Sequence, residues 1–122
     1  MKYIIAPHDV SEKNISRIKS KLNNKVNLLS DYIYNAQSNI LLVDSIGVLK
    51  YLYKFSNISY VGGGFKKKGL HNILEPCVYG NPVIFGKYFK FSNEAKALIK
   101  LTGGFSVQNS KQLKNTVNEL LF

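Results

Sequence analysis

Short apolar runs alternate with helical patterns from one end of this chain to the other, and no other feature restricts its fold as much. Residues 2–6, 26–29, 40–43, 58–61, 82–85 and 105–107 read as strands. Between the first two, Ile15, Ile18 and Leu22 recur at helical spacing, and Asp9 stands three residues before Glu12 in the capping-box arrangement. A short helix follows Asp44 and Ser45, with Ile46, Leu49 and Leu52 or Tyr53 turned inward. Another covers residues 72–79, opened by Asn72 and stopped by Gly80, with Pro76 tolerated in its first turn. Ser92 caps a helix that Gly103 and Gly104 end, and Asn109 or Ser110 caps a last one with Leu113, Val117, Leu120 and Leu121 on one face. Strands and helices in such short alternation predict parallel βαβ units, and so an α/β fold with a doubly wound parallel sheet and right-handed crossovers. The run 40–43 is apolar throughout, as a strand buried on both faces requires. At 122 residues the chain is the size of one domain, and it carries no internal repeat or linker.

In sheets of this kind ligands sit at the carboxyl ends of the strands. Three loops hold that position: Pro7-His8-Asp9, then Asp44, Ser45, Ile46 and Gly47, then the stretch from Gly62 to Asn72. The third is the most specific. Gly62, Gly63 and Gly64 let backbone approach a phosphate closely, and a helix starting at Asn72 would add donors and a partial positive charge. Glu75, three residues on, suits a pair of sugar hydroxyls. Phosphate donors beside a ribose acceptor make a nucleotide-sugar site. The competing structural reading is a tight turn and a capped helix with no ligand.

Seventeen Lys and Arg against seven Asp and Glu give a formal charge of +10, which favours anionic partners: nucleic acid, acidic headgroups or phosphorylated substrates. The lysines are scattered, and their one run, Lys66-Lys67-Lys68, lies inside the glycine loop. No apolar run approaches the roughly 18–20 residues that span a bilayer. The first residues reach Pro7 and His8 too soon for a signal peptide, so the sequence predicts an intracellular chain. Cys77 is the only cysteine, which excludes a disulfide framework within the chain and predicts a buried, inert thiol. No His, Cys and Asp cluster has metal-ligand spacing, so no metal is expected. There is no nucleophile elbow and no Walker loop.

Five segments, in this order, resemble the C-terminal, donor-binding half of the 3-deoxy-D-manno-octulosonic acid (Kdo) transferases. They are Ile5-Ala-Pro-His-Asp9, Leu42-Val-Asp-Ser-Ile-Gly-Val-Leu49, Tyr60-Val-Gly-Gly-Gly-Phe65, Gly69-Leu-His-Asn-Ile-Leu-Glu-Pro76 and Gly80-Asn-Pro-Val-Ile-Phe-Gly86. The likeness runs from about residue 3 to residue 121. It implies a Rossmann-like half of a GT-B glycosyltransferase, acting in lipopolysaccharide assembly at the cytoplasmic face of the bacterial inner membrane. The donor substrate would be cytidine-monophosphate-activated Kdo (CMP-Kdo), with no further cofactor, and the acceptor a lipid A precursor. By the resemblance, Gly63, Gly64, His71 and Asn72 lie by the donor phosphate and Glu75 holds the ribose. Asp44, Ser45, Ile46 and Gly47 lie against the cytosine, and Pro7 and His8 border the same cleft. The pattern also departs from the family. Many members have Ser where Gly64 stands, Gly where Leu70 stands, and Pro-Arg-His where this chain has Pro7-His8-Asp9. An arginine lost from the cleft removes a bidentate anion partner, for which Lys67 or Lys68 is the candidate substitute. The family's acceptor domain, with its carboxylate base and usual membrane anchor, has no counterpart in these residues. The resemblance therefore implies an N-terminally truncated piece that retains donor binding, assigns no catalytic residue and does not turn over alone.

Each residue also has a structural reading. His71 can cap the loop, bond a carbonyl or face solvent. Glu75 can be the capping partner of Asn72, and Asp44 is as readily a helix cap as a base contact. Tyr51, Tyr53, Phe89 and Phe91 read as core or lipid-proximal packing. At the level of function, the alternatives are the donor domain of a uridine-activated-sugar GT-B enzyme, a basic nucleic-acid-binding module, and a remnant with no ligand. The second lacks any recognisable reading motif, and no specific nucleic acid is expected.

Overall fold

The computed structural model describes residues 1–65 and 69–122. The lysine run Lys66-Lys67-Lys68 lies outside the described residues. Two compact units divide the chain, Met1–Leu49 and Lys50–Phe122. Each has its own three-stranded sheet, and every strand pair is parallel, as the βαβ alternation predicts.

In the first unit β1 (Tyr3–Ile5) and β2 (Asn27–Leu28) flank β3 (Ile40–Leu42), with Ile5 paired to Leu42 and Leu42 to Leu28. Leu42 and the following Val43 are fully buried, so the apolar run at 40–43 does form the middle of the sheet. Between β1 and β2 runs α1 (Glu12–Lys21), which buries Ile15. Its N-cap is Ser11 rather than Asp9: Ser11 Oγ accepts from Asn14 N at 3.3 Å, while Asp9 Oδ1 accepts from Ser11 N at 2.9 Å and so holds the cap residue itself. Glu12 in the first turn and Lys19 and Lys21 in the last suit the helix dipole. Asn23 and Asn24 then end the helix in left-handed conformation, which asparagine tolerates better than most residues.

In the second unit β4 (Ser59–Val61) and β6 (Gly104–Val107) flank β5 (Val83–Gly86), all four residues of which are buried. Val61, Ile73, Val83, Phe85 and Ala95 form its core, with Leu70, Cys77, Phe89 and Leu98 against them. Phe85 and Phe89 meet edge to face at 5.6 Å. Each fully buried large side chain contributes about 1.5–3 kcal/mol, so β5 anchors the unit. Ser92 caps α4 (Asn93–Lys100) by accepting from Ala95 N at 3.1 Å, and Asn109 caps α5 (Ser110–Leu121) by accepting from Gln112 N at 2.9 Å.

Two expectations are corrected here. The helix predicted over 72–79 is a single turn, α3 (Leu74–Cys77), because Asn72 Oδ1 accepts from Leu74 N at 2.9 Å and makes a side-chain turn two residues before the helix. Ile46 does not turn inward: α2 (Leu49–Leu52) starts three residues later, a 3-10 turn (Tyr53–Phe55) follows it, and Ile46 is 82% exposed. Tyr51 and Phe91 are exposed as well, while Phe89 is part of the core. Among the described residues no helix is long and apolar enough to cross a membrane.

Candidate functional site

The parallel strands of each sheet put their carboxyl ends on one edge, and the sequence-predicted residues fall on those edges. In the first unit, Pro7 and His8 follow β1, Ser30 follows β2, and Asp44, Ser45, Ile46 and Gly47 follow β3. Asp44 is neither a helix cap nor idle. Its carboxylate accepts from Ser30 N at 3.1 Å through Oδ1 and from the Ser30 hydroxyl through Oδ2, tying the loop after β3 to the loop after β2. Ser45, Ile46 and Gly47 remain exposed on the same edge, with Gly47 at φ +85°. Asp9 is held below the usual carboxylate range, first by the Ser11 backbone amide, then by the Ser11 hydroxyl, with His8 and Arg17 adding charge.

In the second unit Gly62, Gly63 and Gly64 leave the carboxyl end of β4, as predicted. The corner they form closes on itself. His71 N donates to Gly62 O at 3.1 Å, so the chain returns beside the glycines after Leu70. Gly63 has φ +87°, and a Cβ there would fall 2.7 Å from Gly69 O and 2.9 Å from His71 Cδ2. Glycine is therefore required twice over, by conformation and by space. Gly64 lies backbone against backbone on Gly86, at the carboxyl end of β5; a Cβ on Gly64 would fall 2.6 Å from Gly86 N. Any side chain at this position would collide with that strand end.

The main-chain amide of His71 is engaged by Gly62, and its imidazole packs against Gly62 and Gly63. The Asn72 carbonyl oxygen is engaged by Leu74 N, so its side-chain NH2 is the group that suits a phosphate. With one turn, α3 supplies little of the macrodipole that the sequence predicts at a helix start here. Glu75 is the second residue of α3 and exposed. The Tyr53 hydroxyl is pushed above its ordinary value by burial and then by the Glu75 charge. The Cys77 thiol, half-buried rather than buried as expected, is likewise raised by burial and donates to Ile73 O at 2.8 Å.

A groove that the sequence reading passed over lies beside the corner, lined by Gly69 and Leu70 from the glycine loop and by residues of the loop after β5. Its signal was available: the loop between Gly86 and the Ser92 cap also occupies a carboxyl end of a parallel strand.

No protein-family model matches the chain. A 3-deoxy-D-manno-octulosonic acid transferase of Aquifex aeolicus is 34% identical over 122 residues, covering 99% of this chain and 34% of that protein. A bifunctional glycosyltransferase/methyltransferase of Fusobacterium nucleatum is 35% identical over 113 residues, covering 91% of this chain and 17% of that protein. The crystal structure of the C-terminal CMP-Kdo binding domain of WaaA from Acinetobacter baumannii superposes with a TM-score of 0.83 at 28% identity, over 97% of this chain and 63% of that one. Parallel sheets with the glycine corner at a carboxyl edge are thus those of one half of a GT-B glycosyltransferase. Within that class the chain belongs, by sequence and by fold, to the Kdo transferase family. It spans about a third of the length of the Aquifex relative, at 34%.

Proposed function

We propose that this chain is the donor-binding part of a Kdo transferase, holding CMP-Kdo for transfer to a lipid A precursor. The observation that carries the reading is the glycine corner, where Gly63 at φ +87° and the His71–Gly62 bond shape a loop that only glycine permits, beside the Asn72 amide and Glu75. Glycine at 63 lets the chain's own return through Gly69 and His71 pack closely, and that packing holds the loop at the carboxyl edge of the sheet, where ligands of such folds bind. Gly63, Gly64, His71 and Asn72 take the phosphate, and Glu75 accepts from the ribose hydroxyls. On the first unit, Pro7, His8, Asp44, Ser45, Ile46 and Gly47 offer a cytosine-binding edge of their own; Asp44 keeps its Ser30 bonds and can accept further, since a carboxylate has lone pairs beyond those two. The acceptor is handled by residues outside these 122, so the chain alone binds donor without turnover. The excess of lysine draws it to the anionic cytoplasmic face of the inner membrane.

Titration calorimetry with cytidine, uridine and adenosine monophosphates tests this. Cytidine monophosphate binds best, and Glu75→Ala weakens it. Equal binding of all three, unaffected by the substitution, would reduce the interaction to net charge.

A further inference from the structure

The helical stretch that leads into β4, α2 with the 3-10 turn after it, holds two aromatic rings in water. Tyr51 is 61% exposed and Phe55 67%, and they stand four residues apart, so they share one side of the stretch. Lys50 and Lys54 repeat that spacing beside them. Lys50 Nζ lies 5.1 Å from the centre of the Tyr51 ring, and Lys54 Nζ 5.0 Å from that of Phe55. The stretch is fastened to the chain that leaves α3. Tyr79 donates its hydroxyl to Lys50 O at 3.4 Å, and Asn81 Nδ2 donates to Tyr53 O at 3.0 Å and to Ser56 Oγ at 2.7 Å. Those bonds bring exposed Tyr79, with Val78 79% exposed beside it in the chain, to the same surface. Glu75 is the only carboxylate in the sequence between Asp44 and Glu94, so this part of the second unit is strongly basic.

Exposed rings, an aliphatic side chain and lysines on one pinned surface fit the boundary between lipid headgroups and acyl chains. Phenyl and valine side chains leave water there, tyrosine keeps its hydroxyl among the headgroups, and each lysine reaches a lipid phosphate. The aliphatic Val78 favours lipid over nucleic acid, whose bases would use the rings alone. We propose that Lys50, Tyr51, Lys54, Phe55, Val78 and Tyr79 form a docking surface for an anionic phospholipid bilayer. The proposal rests on the membrane contact read above from net charge, and adds which surface makes it and that apolar side chains enter the lipid.

The chain has no tryptophan, so a single introduced one reports its own surroundings. Phe55→Trp is compared with Phe122→Trp at the exposed C-terminus, on vesicles of equal parts phosphatidylglycerol and phosphatidylcholine and on pure phosphatidylcholine. On the anionic vesicles the Phe55→Trp emission should move to the blue and be quenched by brominated acyl chains, while that of Phe122→Trp stays unchanged. Sedimentation of the same vesicles in about 0.15 M salt compares two charge-matched pairs. Lys50→Gln/Lys54→Gln should weaken binding by about tenfold. Lys111→Gln/Lys114→Gln, on α5, which packs on the opposite edge strand β6, should weaken it by less than about threefold. All four lysines are exposed, and thermal unfolding checks that each variant folds. If the vesicles bind but the two pairs weaken equally, or the Phe55→Trp emission does not move, net charge alone holds the membrane and the docking surface is refuted. Absence of binding to anionic vesicles by any form refutes the membrane contact and this surface together. A Phe55→Trp shift with a single-stranded oligonucleotide and none with vesicles would assign the surface to nucleic acid instead.

Discussion

Replacing Gly63 by Ala is the sharpest perturbation the corner offers. The residue sits at φ +87°, where an L side chain costs about 1–2 kcal/mol in backbone strain alone. The new Cβ would also lie 2.7 Å from Gly69 O, 2.9 Å from His71 Cδ2 and 3.1 Å from His71 N, and two of these neighbours are backbone. Backbone that must shift to admit a methyl adds roughly 1–3 kcal/mol. The total is roughly 2–5 kcal/mol, against a typical domain stability of about 5–15 kcal/mol. At roughly 4 °C per kcal/mol for a chain of this size, Tm should fall by about 8–20 °C. Gly80 is the internal control: it lies in the same unit at φ +72°, yet a Cβ there meets nothing within 4 Å. Gly80→Ala should show the strain component only, about 1–2 kcal/mol. Thermal and urea unfolding of the two variants beside wild type measure the difference. If Gly63→Ala costs no more than Gly80→Ala, the corner is not closed as described and the case for a built phosphate loop fails.

Other outcomes follow from single contacts. Ser92→Ala should destabilise the second unit by about 1 kcal/mol through loss of the bond to Ala95 N, read by urea unfolding. Ser11→Ala should cost a similar amount in α1, and a Glu12 substitution that cost more would restore Asp9 as the cap. Asp9 is depressed in the folded chain, so the stability it adds is present above its ordinary value of 3.8 and is lost as pH falls through the lower folded value. The Ser11 amide resonance should therefore titrate with a midpoint below 3.8, and Asp9→Asn should remove that titration. Cys77, raised by burial, should react with iodoacetamide at pH 7.5 more slowly than a cysteine in a short peptide, and equal rates would place the thiol at the surface.

Legibility in the sequence followed how local the cause was. The parallel βαβ order came from runs of apolar residues, and the caps at Ser92 and Asn109 from one side chain reaching an amide three residues on. Where two candidate caps stood two residues apart, spacing alone chose wrongly: Asp9 and Ser11 both precede α1, and Asp9 was drawn to the amide of Ser11. The same competition shortened α3, since Asn72 closes on Leu74 rather than on the third residue of a longer helix. The inward face was misread at Ile46 because a helix of four residues is too short for its periodicity to define a face. The Gly63 corner was legible as glycine-rich, but its reason, the return of the chain through His71, is a contact eight residues apart that no local pattern encodes. The groove at Lys87 and Lys90 was missed because nothing periodic marks a loop. Its place after a buried strand was the readable clue.

Amide chemical-shift mapping tests directly whether a nucleotide phosphate sits on the glycine corner. During a titration with cytidine monophosphate in about 0.15 M salt, where exposed charges are screened beyond roughly 8 Å, shifts should concentrate at Gly63, Gly64, His71 and Asn72. They should be weaker or absent in Gly63→Ala protein that remains folded. Shifts spread over the lysines of α1 and α4, with the corner unmoved, would show that net charge and not this loop binds the nucleotide.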